Sequence, residues 1–310
     1  MSVGTMEILK APATVSKRQV AAATIGSLLG WSLDLYDLFI LLYVAPVIGQ
    51  LFFPSSNPTL SLASVYASFA VTLLMRPMGS AIFGSIADRR GRKRAMITAV
   101  VGVGVFTALL GALPTVQQAG VLAPILFLLL RLIQGVFVGG VVASTHTIGT
   151  ETVPPKWRGA MSGLVGGGGA GLGSLIASVV YWILTAIFPG QVFDVWGWRV
   201  MFFSALLSAI LGVFIFSSLE ESPLWLKAQK DSQAAEVKKM PVRAVFSKQY
   251  LPMLLVNLMI VIGGGSGYYL TSGFLPTFLK VINTSISPAT RSGILILASV
   301  VIIIAAVLIG

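Results

Sequence analysis

Long apolar blocks separated by polar joints set the pattern of this chain. The blocks run Ala21–Gly49, Leu60–Ala87, Ala95–Leu113, Val121–Thr150, Ala160–Phe188, Val200–Leu219, Leu251–Leu279 and Ser292–Gly310. Each approaches or exceeds the ~20 residues a helix needs to cross the hydrocarbon core of a bilayer. They lack the strict apolar–polar alternation of a membrane barrel strand. In lipid every backbone polar group has to be satisfied internally, and helices do this within one segment. The pattern therefore predicts an all-α membrane protein. The first block follows a polar tail, residues 1–20, and has neither the short core nor the cleavage site of a signal peptide. It is expected to stay as a first helix.

The joints give the organisation. Short ones link the first six blocks into one unit, residues 21–219, and a single long polar stretch, residues 220–250, follows it. Two further helices, in residues 251–310, open a second unit. Two helices make a poor domain, so the chain reads as a piece of a longer protein. Gly310 falls where, by an internal repeat, a glycine equivalent to Gly84 is expected.

Charge refines this picture. Of the 310 residues 56% are hydrophobic and 10% charged, against about 25% charged in soluble domains. The net charge of +11 is unevenly placed. Lys10, Lys17 and Arg18 precede the first helix, and Arg89, Arg90, Arg92, Lys93 and Arg94 follow the second. Lys156 and Arg158 follow the fourth, and Lys227, Lys230, Lys238, Lys239, Arg243 and Lys248 lie in the long joint. The opposite joints hold only Arg199, Lys280 and Arg291. This is the positive-inside distribution, with a cytoplasmic N-terminus and long joint. It explains the basic charge without nucleic acid. There is no cysteine, and His146 is the one histidine, so neither a metal site nor a cofactor is expected.

Charges inside the blocks are the candidate chemistry, because they are costly there and usually functional. Asp34 and Asp37 are three residues apart and share a helix face. At ~1.5 Å per residue from the basic ends, Asp37 lies ~25 Å deep, Arg131 ~28 Å, Asp34 ~21 Å and Arg76 ~16 Å. Asp37 with Arg131, and more loosely Asp34 with Arg76, are the expected pairs. Two structural salt bridges are one reading. The other is a switch, since a permanent buried pair stabilises weakly while a carboxylate can alternate between a proton and an arginine. Gly166–Gly173 looks like a phosphate loop, but it lies inside an apolar block and the lysine of such a loop is absent. Close helix packing through Gly167/Gly171 and Gly169/Gly173 is expected instead. His146 reads as a packing residue. Tyr36, Tyr268 and Tyr269 are either pathway residues or interface anchors.

Several motifs carry a resemblance. Gly84-Ser-Ile-Ala-Asp88-Arg89-Arg90-Gly91-Arg92-Lys93-Arg94 resembles the signature loop of the major facilitator superfamily. Arg131-Leu-Ile-Gln134-Gly135, Glu151-Thr-Val-Pro154-Pro-Lys-Trp-Arg158-Gly159, Trp196-Gly-Trp-Arg199 and Glu221-Ser-Pro-Leu-Trp225-Leu are also similar to motifs of these carriers. Gly30-Trp-Ser-Leu-Asp34-Leu-Tyr36-Asp37, Phe52-Phe-Pro-Ser, the stretch Phe69 to Gly79 and the stretch Tyr268 to Lys280 resemble the metabolite:proton symporter branch. Asp34 stands where that branch has Glu, and Val141 where it has a second Glu.

The resemblance implies a major facilitator fold: a six-helix N-terminal bundle plus the first two helices of a C-terminal bundle. It implies proton-coupled symport of a small organic acid or zwitterion, with the site at the midplane and the halves rocking about it. Asp34 and Asp37 become the proton-coupling residues. Arg131, Arg76, Tyr36, Gln134, Tyr268 and Tyr269 become the substrate-binding residues. Gly84, Asp88, Arg89, Gly91, Arg92, Glu151 and Arg158 form a cytoplasmic latch. The expected partners are a small-molecule substrate, a proton and the lipid bilayer, in a monomer of the inner (cell) membrane. A sugar or drug carrier of the same superfamily is the rival reading. A receptor would need a soluble domain, and an enzyme a convergent nucleophile or metal cluster.

Overall fold

The computed structural model describes residues 16–218, 221, 225–226, 247–268, 273–281 and 286–309. Among these every regular element is helical. Six long helices come first: α1 (Arg18–Phe52), α2 (Pro58–Arg90), α3 (Arg92–Ala112), α4 (Leu122–Thr152), α5 (Pro155–Ile187) and α6 (Phe193–Ser217). Three more follow: α7 (Leu251–Tyr268), α8 (Leu275–Val281) and α9 (Pro288–Ile309). Among the described residues seven helices are long and apolar enough to cross a membrane, namely α1 to α6 and α9. The chain is an integral, multi-pass membrane protein. Of the seventh apolar block, expected as one spanning helix, the described residues include α7 and α8, and residues 269–272 between them lie outside the described residues. Most of the expected central joint, residues 220–250, lies outside the described residues.

The ends of the helices follow from local sequence. Ser16 accepts from the Gln19 backbone at 3.2 Å while Gln19 accepts from the Ser16 backbone at 2.9 Å, which closes a capping box before α1. Asn57 caps α2 by accepting from the Thr59 backbone at 2.9 Å, with Pro58 at the first helical position. Gly91, at φ 102°, turns α2 into α3, a conformation glycine adopts without steric cost. Arg199 donates to the carbonyls of Gly111 and Leu113 at 2.7 and 2.8 Å and so ties off the end of α3. It also lies 4.3 Å from the centre of the Trp198 ring. The Trp-Gly-Trp-Arg motif is thereby a fastening between α6 and α3.

α1 is the axis of the bundle. It touches α2, α3, α4, α5 and α6, and 83% of its apolar window is buried, against 17% for α9. Its Leu38–Val44 run forms the core with Phe127, Trp198 and Phe202. α2 and α4 pack closely because glycines let the backbones approach: a Cβ on Gly79 would strike Val136, and one on Gly139 would strike Arg76 backbone. Glycine spacing on α5 serves two neighbours. Gly169 and Gly173 face Trp31 and the Ser32–Tyr36 backbone of α1, while Gly167 and Gly171 face Ala306 and Ile303 of α9. The glycine run is thus a packing device, as its spacing suggests.

Candidate functional site

A buried polar cluster lies where α1, α3 and α4 meet. Gln134 donates from Nε2 to both carboxylate oxygens of Asp37, at 3.0 and 2.8 Å, and lies 2.7 Å from Thr107 Oγ1. Thr107 donates to Asp37 Oδ1. Arg131 donates from Nη1 to Gln134 Oε1 at 2.7 Å. Helical spacing explains the assembly, since Arg131 and Gln134 are three residues apart on one face of α4. Gly135 beside them lets Thr72 and Met75 of α2 approach. Arg131 is also backed by the Phe69 ring, 5.6 Å from its guanidinium carbon.

The expected Asp37–Arg131 ion pair is therefore not direct. Among the described residues Asp37 and Arg131 form no ion pair with each other, whereas Arg92 pairs with Asp88 and with Glu151. Gln134 stands between Asp37 and Arg131, accepting from the cation with its carbonyl oxygen and donating to the anion with its nitrogen. Depth counting along the helices puts the two charges at one level but does not register the side chain between them. The Arg131 charge still acts on Asp37, and Arg131 Nε and Nη2 are buried without a partner.

Asp34 differs. It is buried, and neither carboxylate oxygen has a hydrogen-bond partner. The charges acting on it are those of Arg76 and Asp37. Arg76 makes no ion pair with it, and Arg76 Nε is likewise unpartnered. The looser second pair is thus an electrostatic neighbourhood, not a contact. The Tyr36 hydroxyl hydrogen-bonds Ser204 of α6. The side chain of Tyr268 and all of Tyr269 lie outside the described residues. His146 packs edge-on against Trp31, with ring centroids 4.9 Å apart.

The signature loop forms a second, separate network at the basic end. Arg92 bonds Asp88 at 3.2 Å, one turn away, and Glu151 on α4 at 3.4 Å. Glu221, after α6, accepts from the backbone N–H of Arg92 at 2.9 Å and of Lys93 at 3.3 Å. These are orphan donors at the start of α3, where a carboxylate is favoured. A Cβ on Gly91 would meet that carboxylate. Trp225 donates to the Asp88 carbonyl at 3.1 Å. The described contacts therefore tie α2, α3, α4 and the segment after α6 together. Arg89 and Arg158 take part in none of them, and Gly84 has open space around it. Residue patterns alone do not reveal Thr107, Ser204 or the cap made by Glu221. The signal for Thr107 is its hydroxyl, deep in an otherwise apolar block.

A family model described as "Sugar (and other) transporter" matches residues 22–249. The chain is 30% identical over 255 residues to the inner membrane metabolite transport protein YhjE of Escherichia coli, covering 82% of this chain and 57% of that protein. It is 34% identical over 232 residues to the shikimate transporter of E. coli, covering 74% and 52%. With the E. coli proline/betaine transporter it shares 29% over 270 residues, 85% and 53%. The chain thus spans about half the length of the curated relatives it matches. Among solved structures, a D-xylose–proton symporter superposes with TM-score 0.65 at 19% identity, over 91% of this chain and 66% of that one. A second, the major facilitator superfamily proton:xylose symporter XylE, gives 0.62 over 70% and 48%. The fold is that of the major facilitator superfamily, in its N-terminal six-helix unit and the start of the second.

Proposed function

This chain belongs to the family of sugar (and other) transporters, and on that premise we propose that it forms the proton- and substrate-handling half of a symporter for a small carboxylate or zwitterion. The observation that carries the reading is the charge arrangement at the centre of the bundle: two buried aspartates one turn apart beside two arginines with unused donors. With every group ionised, Asp34, Asp37, Arg76 and Arg131 sum to zero. A proton on one aspartate leaves one positive charge in a buried site, where an uncompensated charge is costly. A substrate carboxylate at Arg131 Nε and Nη2 restores neutrality, in the bidentate geometry that guanidinium favours. Proton and carboxylate then enter together, which is symport; for a zwitterion the carboxylate end would take this place while its cationic end lies away from the two arginines.

Of the two aspartates, Asp34 suits the proton. Asp37 already accepts from Thr107 and Gln134, donors that stabilise a carboxylate as the anion. Asp34 has none, and burying an ion without donors costs far more than burying the neutral acid. Alternating access would then proceed by rocking against a second bundle, with Asp88, Arg92 and Glu151 fastening the cytoplasmic side. The printed names of the relatives, for metabolites, shikimate and proline or betaine, fit such substrates. The Lys/Arg asymmetry supports a cytoplasmic N-terminus, and the printed name of the E. coli relative supports the inner membrane as the protein's location. A reporter fused at Lys248 is expected on the cytoplasmic side. Appearance outside would refute that orientation.

A sugar is the second reading, favoured by the family's description and by the xylose symporters that share the fold. Proteoliposome uptake by the full-length transporter decides between them, using labelled shikimate, betaine and xylose under an imposed pH gradient. Carboxylate or betaine accumulation supports the first reading. Accumulation of xylose alone would overturn it.

A further inference from the structure

We propose that the basic end of α2 and α3 holds a phosphate group, presented by the headgroup of an anionic membrane lipid, in a site distinct from the transport cluster. A cavity of about 730 Å³ opens there, lined on one side by Arg89, Arg90, Lys93 and Arg94. Ile97, Trp225 and Leu226 form its apolar wall. Ligand pockets fall in the range of about 300–1,000 Å³, so the space suits a headgroup.

Among the described lining residues four cations face one acid. That acid, Glu221, already accepts from the Arg92 and Lys93 backbone. The Lys93 ammonium donates to the Ser217 carbonyl. Arg89, Arg90 and Arg94 are exposed, and among the described residues none of their side chains has an ion pair or hydrogen bond. Three idle guanidinium forks around one cavity match the oxygens of a phosphate.

The surface of α3 points to lipid as the source. Val101, Val105 and Leu109 are exposed apolar residues, and with Arg94 and Thr98 they follow helical spacing down one face. An acyl chain lying along that stripe brings its headgroup to Arg94. Trp225 and Leu226 line the same cavity as Arg94, and a tryptophan with one polar edge suits a membrane interface.

The test uses the whole chain in nanodiscs, with phosphatidylglycerol or phosphatidylcholine spin-labelled high on the acyl chain. The Trp225 part of the fluorescence is isolated by difference from Trp225→Phe. Labelled phosphatidylglycerol is expected to quench Trp225 at lower mole fraction than phosphatidylcholine. Arg90→Gln and Arg94→Gln should each reduce that preference about five-fold, equivalent to ~1 kcal/mol per cation near an anionic surface. The control Lys156→Gln/Lys248→Gln removes two charges from elsewhere on the same end, and should leave the preference intact. If it lowers the preference as much, general surface potential is the cause and the site is refuted. Inorganic phosphate is then added to phosphatidylcholine discs at constant ionic strength. A change in Trp225 emission, lost in Arg90→Gln/Arg94→Gln, would assign the same site to free phosphate. Equal quenching by both lipids together with no response to phosphate would overturn the proposal.

Discussion

Asp34 and Asp37 lie one turn apart on α1, and both are buried, yet their surroundings have little in common. Asp37 projects into the α3–α4 seam, where Thr107 and Gln134 donate to it and Arg131 is linked through Gln134. Among the described residues Asp34 meets no donor, only the fields of Arg76 and Asp37. Burial alone does not define the role of an intramembrane acid. What matters is whether donors surround it, because they decide how strongly the ion is preferred over the neutral acid. On the proposed reading the two positions divide the work: one carboxylate is built into the bundle, and the other is the one that exchanges a proton.

The largest expected effect tests that division directly. In the transporting protein, Asp34→Asn should abolish proton-driven accumulation while substrate exchange persists, since a permanently neutral residue cannot release a proton. Accumulation that stays normal and still follows the pH gradient would assign coupling to Asp37 instead. Stability should show the reverse order. Asp37→Ala strands Thr107, Gln134 and Arg131, and is expected to cost ~3 kcal/mol, seen as a lower unfolding temperature in detergent. Asp34→Leu removes a buried ion without breaking a hydrogen bond, so it should be neutral or stabilising. If both substitutions destabilise equally, the contrast between the two sites is mistaken.

Gln134→Leu sharpens the comparison by removing the bridge while keeping both charges. It should cost about 1–3 kcal/mol. It should also lower exchange as well as accumulation, because Arg131 loses the contact that orients it. The smallest effect belongs to the signature loop. Arg92→Gln breaks the ion pairs to Asp88 and Glu151, which are partly exposed, so thermal stability should change by less than about 1 kcal/mol. The transport rate should fall while substrate affinity, measured by equilibrium binding, holds. A loss of affinity with an unchanged rate of turnover would dismiss the latch.

Much of the fold is legible in the chain itself. Block lengths mark α1 to α6 and α9 because lipid admits no other backbone solution. Gly91 announces the α2–α3 turn, since its φ of 102° excludes most side chains. The spacing of Gly167, Gly169, Gly171 and Gly173 forecasts close packing, though not which pair faces α1 and which faces α9. In the seventh block the described residues include the helices Leu251–Tyr268 and Leu275–Val281, and residues 269–272 between them lie outside the described residues.

The sequence by itself determined the membrane class, the helix count of the first unit and the identity of the charged residues at depth. These follow from the solvent, which makes each apolar block helical and each buried charge conspicuous. Only the tertiary structure decided the pairings. Gln134 intervenes between Asp37 and Arg131, Tyr36 turns to Ser204, and Glu221 reaches back to cap α3. Such contacts depend on how far each helix is rotated about its axis and how closely the glycine seams let neighbours approach. Those quantities are set by the packing of the whole bundle, and no local pattern of residues contains them.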